Sequence, residues 1–365
     1  MDGRAVSAAM RLNLHAIAPR RIGVFRALVL GDLMCAVPAW RALKTACPDS
    51  ELTLIGLPWA REFAQRCRWI DDFIEFPGYP GLPERTPDLS ALPGFLQTMQ
   101  QRRFDLLLQM HGSGRIVNPL LAACGAQHLA GFVERGAYCA EPLLHAAWPT
   151  AGHEIERLLS LVDHLDVARC GSALEFPLCD GDRQALREAW PGVDDAGSFV
   201  CVHAGAQLPS RRWMPERFAL VADGLARQGH RIVLTGTAGE ASLVDDVAAA
   251  MTRPAINLVG RTTLWTLGAL LERAHLLVCN DTGVSHLAAA LGVRSIVVSA
   301  GADVARWAPQ DASRHQVHWA DAPCRPCDHA TCPVGHPCAR AVTAQQVLQS
   351  ALTAVTDAAG GSLTA

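Results

Sequence analysis

From residue 21 onward, short runs of aliphatic side chains alternate with stretches in which apolar residues recur every three or four positions. The runs fit strands buried on both faces, the periodic stretches fit amphipathic helices, and their alternation predicts an α/β fold with parallel sheets. In the first half the pattern predicts strands over 22–30, 51–57 and 104–110 and a helix over 36–47, with a Pro- and Gly-rich loop over 76–93. The rhythm breaks over 170–197 and then restarts. Strands follow over 199–204, 231–235, 276–279 and 294–299, and helices over 216–228, 240–251, 264–273 and 285–291. Two such halves predict paired Rossmann-like domains facing each other across a cleft. The expected boundaries are an N-terminal extension at 1–20, a first domain at 21–175, a linker at 176–197, a second domain at 198–342, and a C-terminal helix and tail at 343–365.

Composition narrows the class. A chain of 365 residues that is 50% apolar and 18% charged can bury two cores, which excludes wholesale disorder. A formal charge of −3 offers no polyelectrolyte attraction, so no nucleic-acid partner is expected. Lys44 is the one lysine among 32 basic residues. The 13 cysteines are odd in number and cannot all pair internally, and a chain of this size needs no disulfide scaffold. Arginines interrupt the first twenty residues where a signal peptide would need an apolar core, and no apolar run is long enough to span a membrane. The expectation is a reducing, cytoplasmic compartment.

Four segments carry candidate chemistry. Gly31 and Asp32 follow the first strand, where open α/β sheets place ligands; the Asp is either a helix cap or a base in a partly dry site. His111-Gly112-Ser113-Gly114 follows the strand over 104–110, but Val117 occupies the third position of a dinucleotide fingerprint. His111, Ser113 and Asn118 therefore suit a polyhydroxylated ligand better than a phosphate. His203-Ala204-Gly205-Ala206 leads to Arg211 and Arg212, whose forked donors suit phosphate oxygens. Last, a strand ends in Asp281-Thr282-Gly283 and a helix opens at once, so free amides and the helix dipole could receive a diphosphate without metal; the alternative is a capping turn with Ser285 as cap. Asp180-Gly181-Asp182 resembles a metal-binding triplet but lies in the expected linker and reads as a turn.

Taken in order, GDLMCAVPAWRAL, DLLLQMHGSGR, HAGA with RRWMPERF, TGTAGE and NDTGVSHLAAALG resemble glycosyltransferase family 9, the heptosyltransferases of lipopolysaccharide core assembly. The resemblance spans about residues 21–348. It implies a GT-B fold with an acceptor domain followed by a sugar-nucleotide domain, and an inverting transfer that needs no metal or other cofactor. By the same resemblance Asp32 is the general base, and Ala206, Arg212, Glu240, Asp281, Thr282, Gly283 and His286 bind the donor. Arg212 stands where relatives carry Lys and would neutralise the departing diphosphate, while Glu240 would hold the ribose hydroxyls. Gly31, His111, Ser113, Arg115 and Asn118 are expected on the acceptor side. The implied partners are ADP-heptose or a similar donor and a lipid-linked saccharide at the inner-membrane face, met by a monomer that is at most peripheral to the membrane. A sugar-nucleotide epimerase or hydrolase of the same architecture, or a noncatalytic nucleotide-sugar-binding protein, are the alternatives; the former would need further acid and base groups that the sequence does not display.

One cluster stands apart. Residues 324–338, CRPCDHATCPVGHPC, hold four cysteines and two histidines. Cys324, Cys327, Cys332 and Cys338 form a candidate structural zinc site, against reduced thiols or an adventitious disulfide.

Overall fold

A computed structural model describes residues 12–327 and 329–361. The chain divides into two compact units between Ala173 and Leu174. The first unit holds six parallel strands: β1 (Arg21–Phe25), β2 (Glu51–Gly56), β3 (Asp72–Glu75), β4 (Leu106–Gln109), β5 (His128–Val133) and β6 (His145–Ala147), in the order β3-β2-β1-β4-β5-β6. The second holds β7 (Phe199–His203), β8 (Arg231–Thr235), β9 (Ile256–Asn257), β10 (Leu276–Asn280), β11 (Ser295–Val298) and β12 (His315–His318), in the order β12-β11-β10-β7-β8-β9. Read from β9, the second order repeats the first. This is the doubly wound order in which the chain leaves the central strands in opposite directions and opens a crevice at their carboxyl ends.

The central strands are buried along their length because helices cover both sheet faces, so unbroken aliphatic runs such as Leu106-Leu107-Leu108 form them. In the first unit, Phe25, Phe76 and Phe95 meet edge to face, with centroids 4.9 and 5.6 Å apart. Lys44, on the Val37–Ala46 helix, ties that helix to the sheet: its Nζ donates to the Ser50 carbonyl at 2.6 Å and to Asp71 at 2.7 Å. In the second unit Trp213 and Phe218 anchor the core, and the Ala344–Gly361 helix packs on the Pro215–Arg227 helix. A Cβ on Gly224 would come 2.5 Å from a Leu348 methyl, so a larger residue there would have to displace that side chain.

Several sequence expectations are revised. The first strand ends at Phe25, and residues 30–34, read as its end and the following turn, form a short helix, Leu30–Met34. The stretch expected as a linker, 176–197, belongs to the second unit: its Asp180–Ala189 helix packs on the Leu264–Arg273 helix, with Arg183 forked onto Glu272 at 2.8 and 2.7 Å. Asp180-Gly181-Asp182 is the first turn of that helix rather than a free turn. Asp182 accepts the Cys179 amide at 2.8 Å as half of a capping box. The C-terminal helix expected within 343–365 packs on elements of the second unit. Among the described residues no helix is long and apolar enough to cross a membrane.

Candidate active site

Within each unit the chemistry predicted from scattered segments lies at carboxyl ends of strands, those of β1 and β4 in the first unit and of β7, β8 and β10 in the second.

In the first unit β1 runs into Arg26 and, four residues on, the Leu30–Met34 helix that carries Gly31 and half-buried Asp32 in its first turn. Beside it, β4 delivers His111. The imidazole is 5% exposed, packs on the Phe25 ring at 5.3 Å, and lies 3.5 Å from Glu84 of the Pro- and Gly-rich loop. His111 Nδ1 and Glu84 Oε2 are buried without a hydrogen-bond partner. Burial pushes the Glu84 carboxyl up, but its contacts with His111 and its own amide outweigh that and leave it below the ordinary range.

Gln109, fully buried, shapes the turn beyond by donating to the carbonyls of His111 at 2.8 Å and Gly112 at 3.2 Å. Gly114 has φ +80°, and a Cβ there would strike Asn118 and the Phe132 carbonyl at 2.4 Å. Asn118, expected on the acceptor side, is fully buried; its amide nitrogen holds the Phe132 and Tyr138 carbonyls, so it builds the loop and does not face open space. Ser113 and Arg115 both bind Glu134, Ser113 at 3.0 Å and Arg115 in a fork at 2.9 and 3.3 Å. Arg115 stays exposed.

In the second unit, fully buried Asn280 ends β10 and stitches the turn after β7. Its Nδ2 donates to the Ala204 carbonyl at 2.6 Å and its Oδ1 accepts the Trp213 amide at 2.9 Å. That turn carries Ala206, whose carbonyl accepts Arg212 Nε at 3.0 Å. The neighbouring Arg211 is placed differently: Nη2 reaches the Cys327 carbonyl at 3.3 Å, Nε is buried without a partner, and its charge acts on Asp281. Burial pushes the Asp281 carboxyl above its ordinary range, while a 2.9 Å bond from Ser299 and the charges of Arg211 and Arg325 pull it back only in part.

Thr282 is the N-cap of the eight-residue Gly283–Ala290 helix and contributes no side-chain cap. Ser285 is not the cap either; its hydroxyl donates to the Thr282 carbonyl at 2.7 Å. The first amides of this helix are thus the natural anion contacts. His286 is buried one turn in, edge-on to Trp307 at 6.2 Å. Glu240 has one carboxylate oxygen accepting the Thr237 amide and hydroxyl at 2.8 and 2.9 Å, and the other lies where a Cβ on Gly205 would come within 2.0 Å.

The cysteine loop departs from the zinc expectation. Among the described residues no three His, Cys, Asp or Glu side chains are grouped to hold a metal ion, and all 13 cysteines are free thiols. The loop serves instead as a brace: the Ser210 amide donates to Ala330 at 3.0 Å, Arg211 to Cys327, and the Cys327 amide to Gly301 at 2.7 Å. Cys338 is in the hydrophobic core, while backbone amides of Val334, His336 and Gly335 hold the Cys332 thiol below its ordinary range.

Solved structures share this GT-B fold. A glycosyl transferase family 9 protein from Veillonella parvula aligns at TM-score 0.78 with 22% identity, covering 96% of this chain and all of that one. The E. coli ADP-heptose lps heptosyltransferase II aligns at TM-score 0.73 with 18% identity, covering 92% and 99%. In sequence, the model of glycosyltransferase family 9 (heptosyltransferase) matches residues 94–337, and the chain belongs to that family. A curated relative, lipopolysaccharide heptosyltransferase 3 of E. coli K12, is 23% identical over 302 residues, 76% of this chain and 82% of its own length.

Glu84 and Asn280 were not singled out by sequence, although Asn280 stands inside a quoted donor motif; Arg211 was named beside Arg212, but the resemblance assigned the donor role to Arg212 alone. Arg26 and Glu154 gave no local signal at all.

Proposed function

We propose that this glycosyltransferase moves heptose from ADP-heptose to a lipid-linked saccharide of the lipopolysaccharide core with inversion at the anomeric carbon. The observation that carries the reading is the placement of the five motifs at carboxyl ends of strands within each unit, two at β1 and β4 of the first and three at β7, β8 and β10 of the second. The names of the E. coli relatives support the sugar and the acceptor class.

Asp32 takes the proton from the acceptor hydroxyl as its oxygen attacks the anomeric carbon; the bond to the diphosphate breaks, and ADP leaves with its charge met by guanidinium and helix amides. Arg211 and Arg212, with the Thr282 and Gly283 amides, face the diphosphate; Ala206 and Glu240 frame the nucleoside, and His286 backs the phosphate site. Fixed cations and amides are the electrophilic groups in this reading, so no metal is called for. The acceptor side includes Gly31, His111, Ser113 and Arg115, and its lipid anchor sets the work at the cytoplasmic face of the inner membrane, performed by a monomer.

The test is transfer from ADP-heptose to a panel of truncated lipopolysaccharides. The parent should form product equally with and without a chelator. Asp32→Ala should lose transfer by about 10³-fold or more while binding ADP-heptose as before. A fully active Asp32→Ala enzyme would sink the mechanism, and ADP release without an acceptor would favour a hydrolase.

A further inference from the structure

Among the described residues of the first unit, Arg26 is one of the most deeply buried charged groups. It is 1% exposed, although it directly follows β1 and precedes the segment that carries Asp32. Its guanidinium turns inward. Nε and Nη2 both donate to the backbone carbonyl of Asp32, at 3.0 and 2.7 Å, Nη1 donates to the Met110 carbonyl at 2.5 Å, and Nη2 also meets Glu154 at 3.0 Å. Glu154 is equally buried, in the first turn of the Glu154–His164 helix.

Two features make this more than a packing detail. The Leu30–Met34 helix has only five residues, and the Ala36 amide that would complete the turn above Asp32 donates instead to Leu33 at 3.0 Å. The Asp32 carbonyl is therefore held by Arg26 where a longer helix would hold it. Met110 immediately precedes His111, so the same planar group fixes the register between the Asp32 helix and the end of β4. A buried ion pair is in itself weak evidence of stabilisation, since apolar replacements of the same volume often fold as well. Here two of the guanidinium bonds go to the carbonyl of one residue, Asp32.

We propose that Arg26, neutralised by Glu154, is a positioning residue that sets the backbone of Asp32 and thereby the reach of its carboxylate. The inference rests on the reading of Asp32 as general base. Arg26 touches no substrate; it acts through Asp32. A Lys at this place keeps the charge and loses the fork that grips two carbonyls at once.

Three variants test it by steady-state transfer with ADP-heptose and the truncated lipopolysaccharide that the parent accepts. Arg26→Lys retains the charge. The double change Arg26→Met with Glu154→Met removes both charges together, avoiding an orphaned one. Glu154→Gln preserves shape and a hydrogen bond. In each variant that melts as the parent does, kcat should fall by about 10- to 100-fold, with KM for both substrates and ADP-heptose affinity within about twofold. The acid limb of the kcat–pH profile, where a carboxylate base becomes protonated, should shift in the double variant. Glu154→Gln should lose least.

A kcat within about twofold of the parent in Arg26→Lys or the double variant, at unchanged melting temperature, overturns the proposal. Equal losses in donor affinity and kcat would do the same, because they would report general damage. Asp32→Ala runs alongside: if it is active, the base reading itself has failed, whereas an inactive Asp32→Ala beside a fully active Arg26→Lys removes the positioning role alone.

Discussion

Two adjacent arginines illustrate how little a residue's type says about its job. Arg212 spends its Nε on the Ala206 carbonyl, whereas Arg211 keeps a buried Nε unpartnered beside Asp281 and is braced from behind by Cys327. A buried, unpaired guanidinium N–H is costly and is best relieved by an anion. Arg211→Ala should therefore weaken ADP affinity by about tenfold or more, and Arg212→Ala by less, as isothermal titration would show. The reverse ranking would return the diphosphate to Arg212. The sequence offered the pair and the resemblance chose Arg212; what favours Arg211 depends on a loop more than one hundred residues downstream. Arg26 and Glu154 lie further beyond such reading: their separation of 128 positions leaves no local trace of the pairing.

Legibility followed burial for most elements, although β5, buried over four residues between β4 and β6, was missed. The runs that became β2, β7, β8 and β10 are aliphatic and covered on both sides, so their composition betrayed them. Edge strands did not. β12 reads His-Gln-Val-His, and its membership of the sheet comes from register with β11, not from hydrophobicity. The Asp180–Ala189 helix was missed as part of the second unit for a similar reason, since its attachment rests on Arg183 with Glu272 and on Leu186. The β12 edge also carries a measurable pH response. His315 is buried against Ser295 at 2.9 Å, and burial pushes its pKa down to about 4 from 6.5. As pH falls from about 6.5 to about 4, the unfolded chain takes up this proton and the folded chain does not, so stability drops, by at most roughly 3 kcal/mol. Urea unfolding at a series of pH values should show that slope, and His315→Asn should flatten it. An unchanged slope would assign the loss to other groups.

At the scale of the whole molecule, the same strand order appears twice, and each copy presents its chemistry at the same topological place. The duplication was visible as a rhythm in the sequence; the equivalence of the two orders was not, because edge pairing decides it. If the second unit holds the donor, ADP should slow amide exchange at the ends of β7 and β10 and in the Gly283–Ala290 helix, leaving the Leu30–Met34 helix unaffected. Hydrogen-exchange mass spectrometry can map this, and protection centred on the first unit would contradict the division of labour.

The lone lysine has a use of its own. Lys44 sits on the first unit, engaged with Asp71 and Ser50 and remote in sequence from the three donor motifs. Because every other basic side chain is an arginine, an amine-directed fluorophore has a single side-chain address on this enzyme, and slow attachment there would leave the cationic groups assigned to the donor chemically untouched.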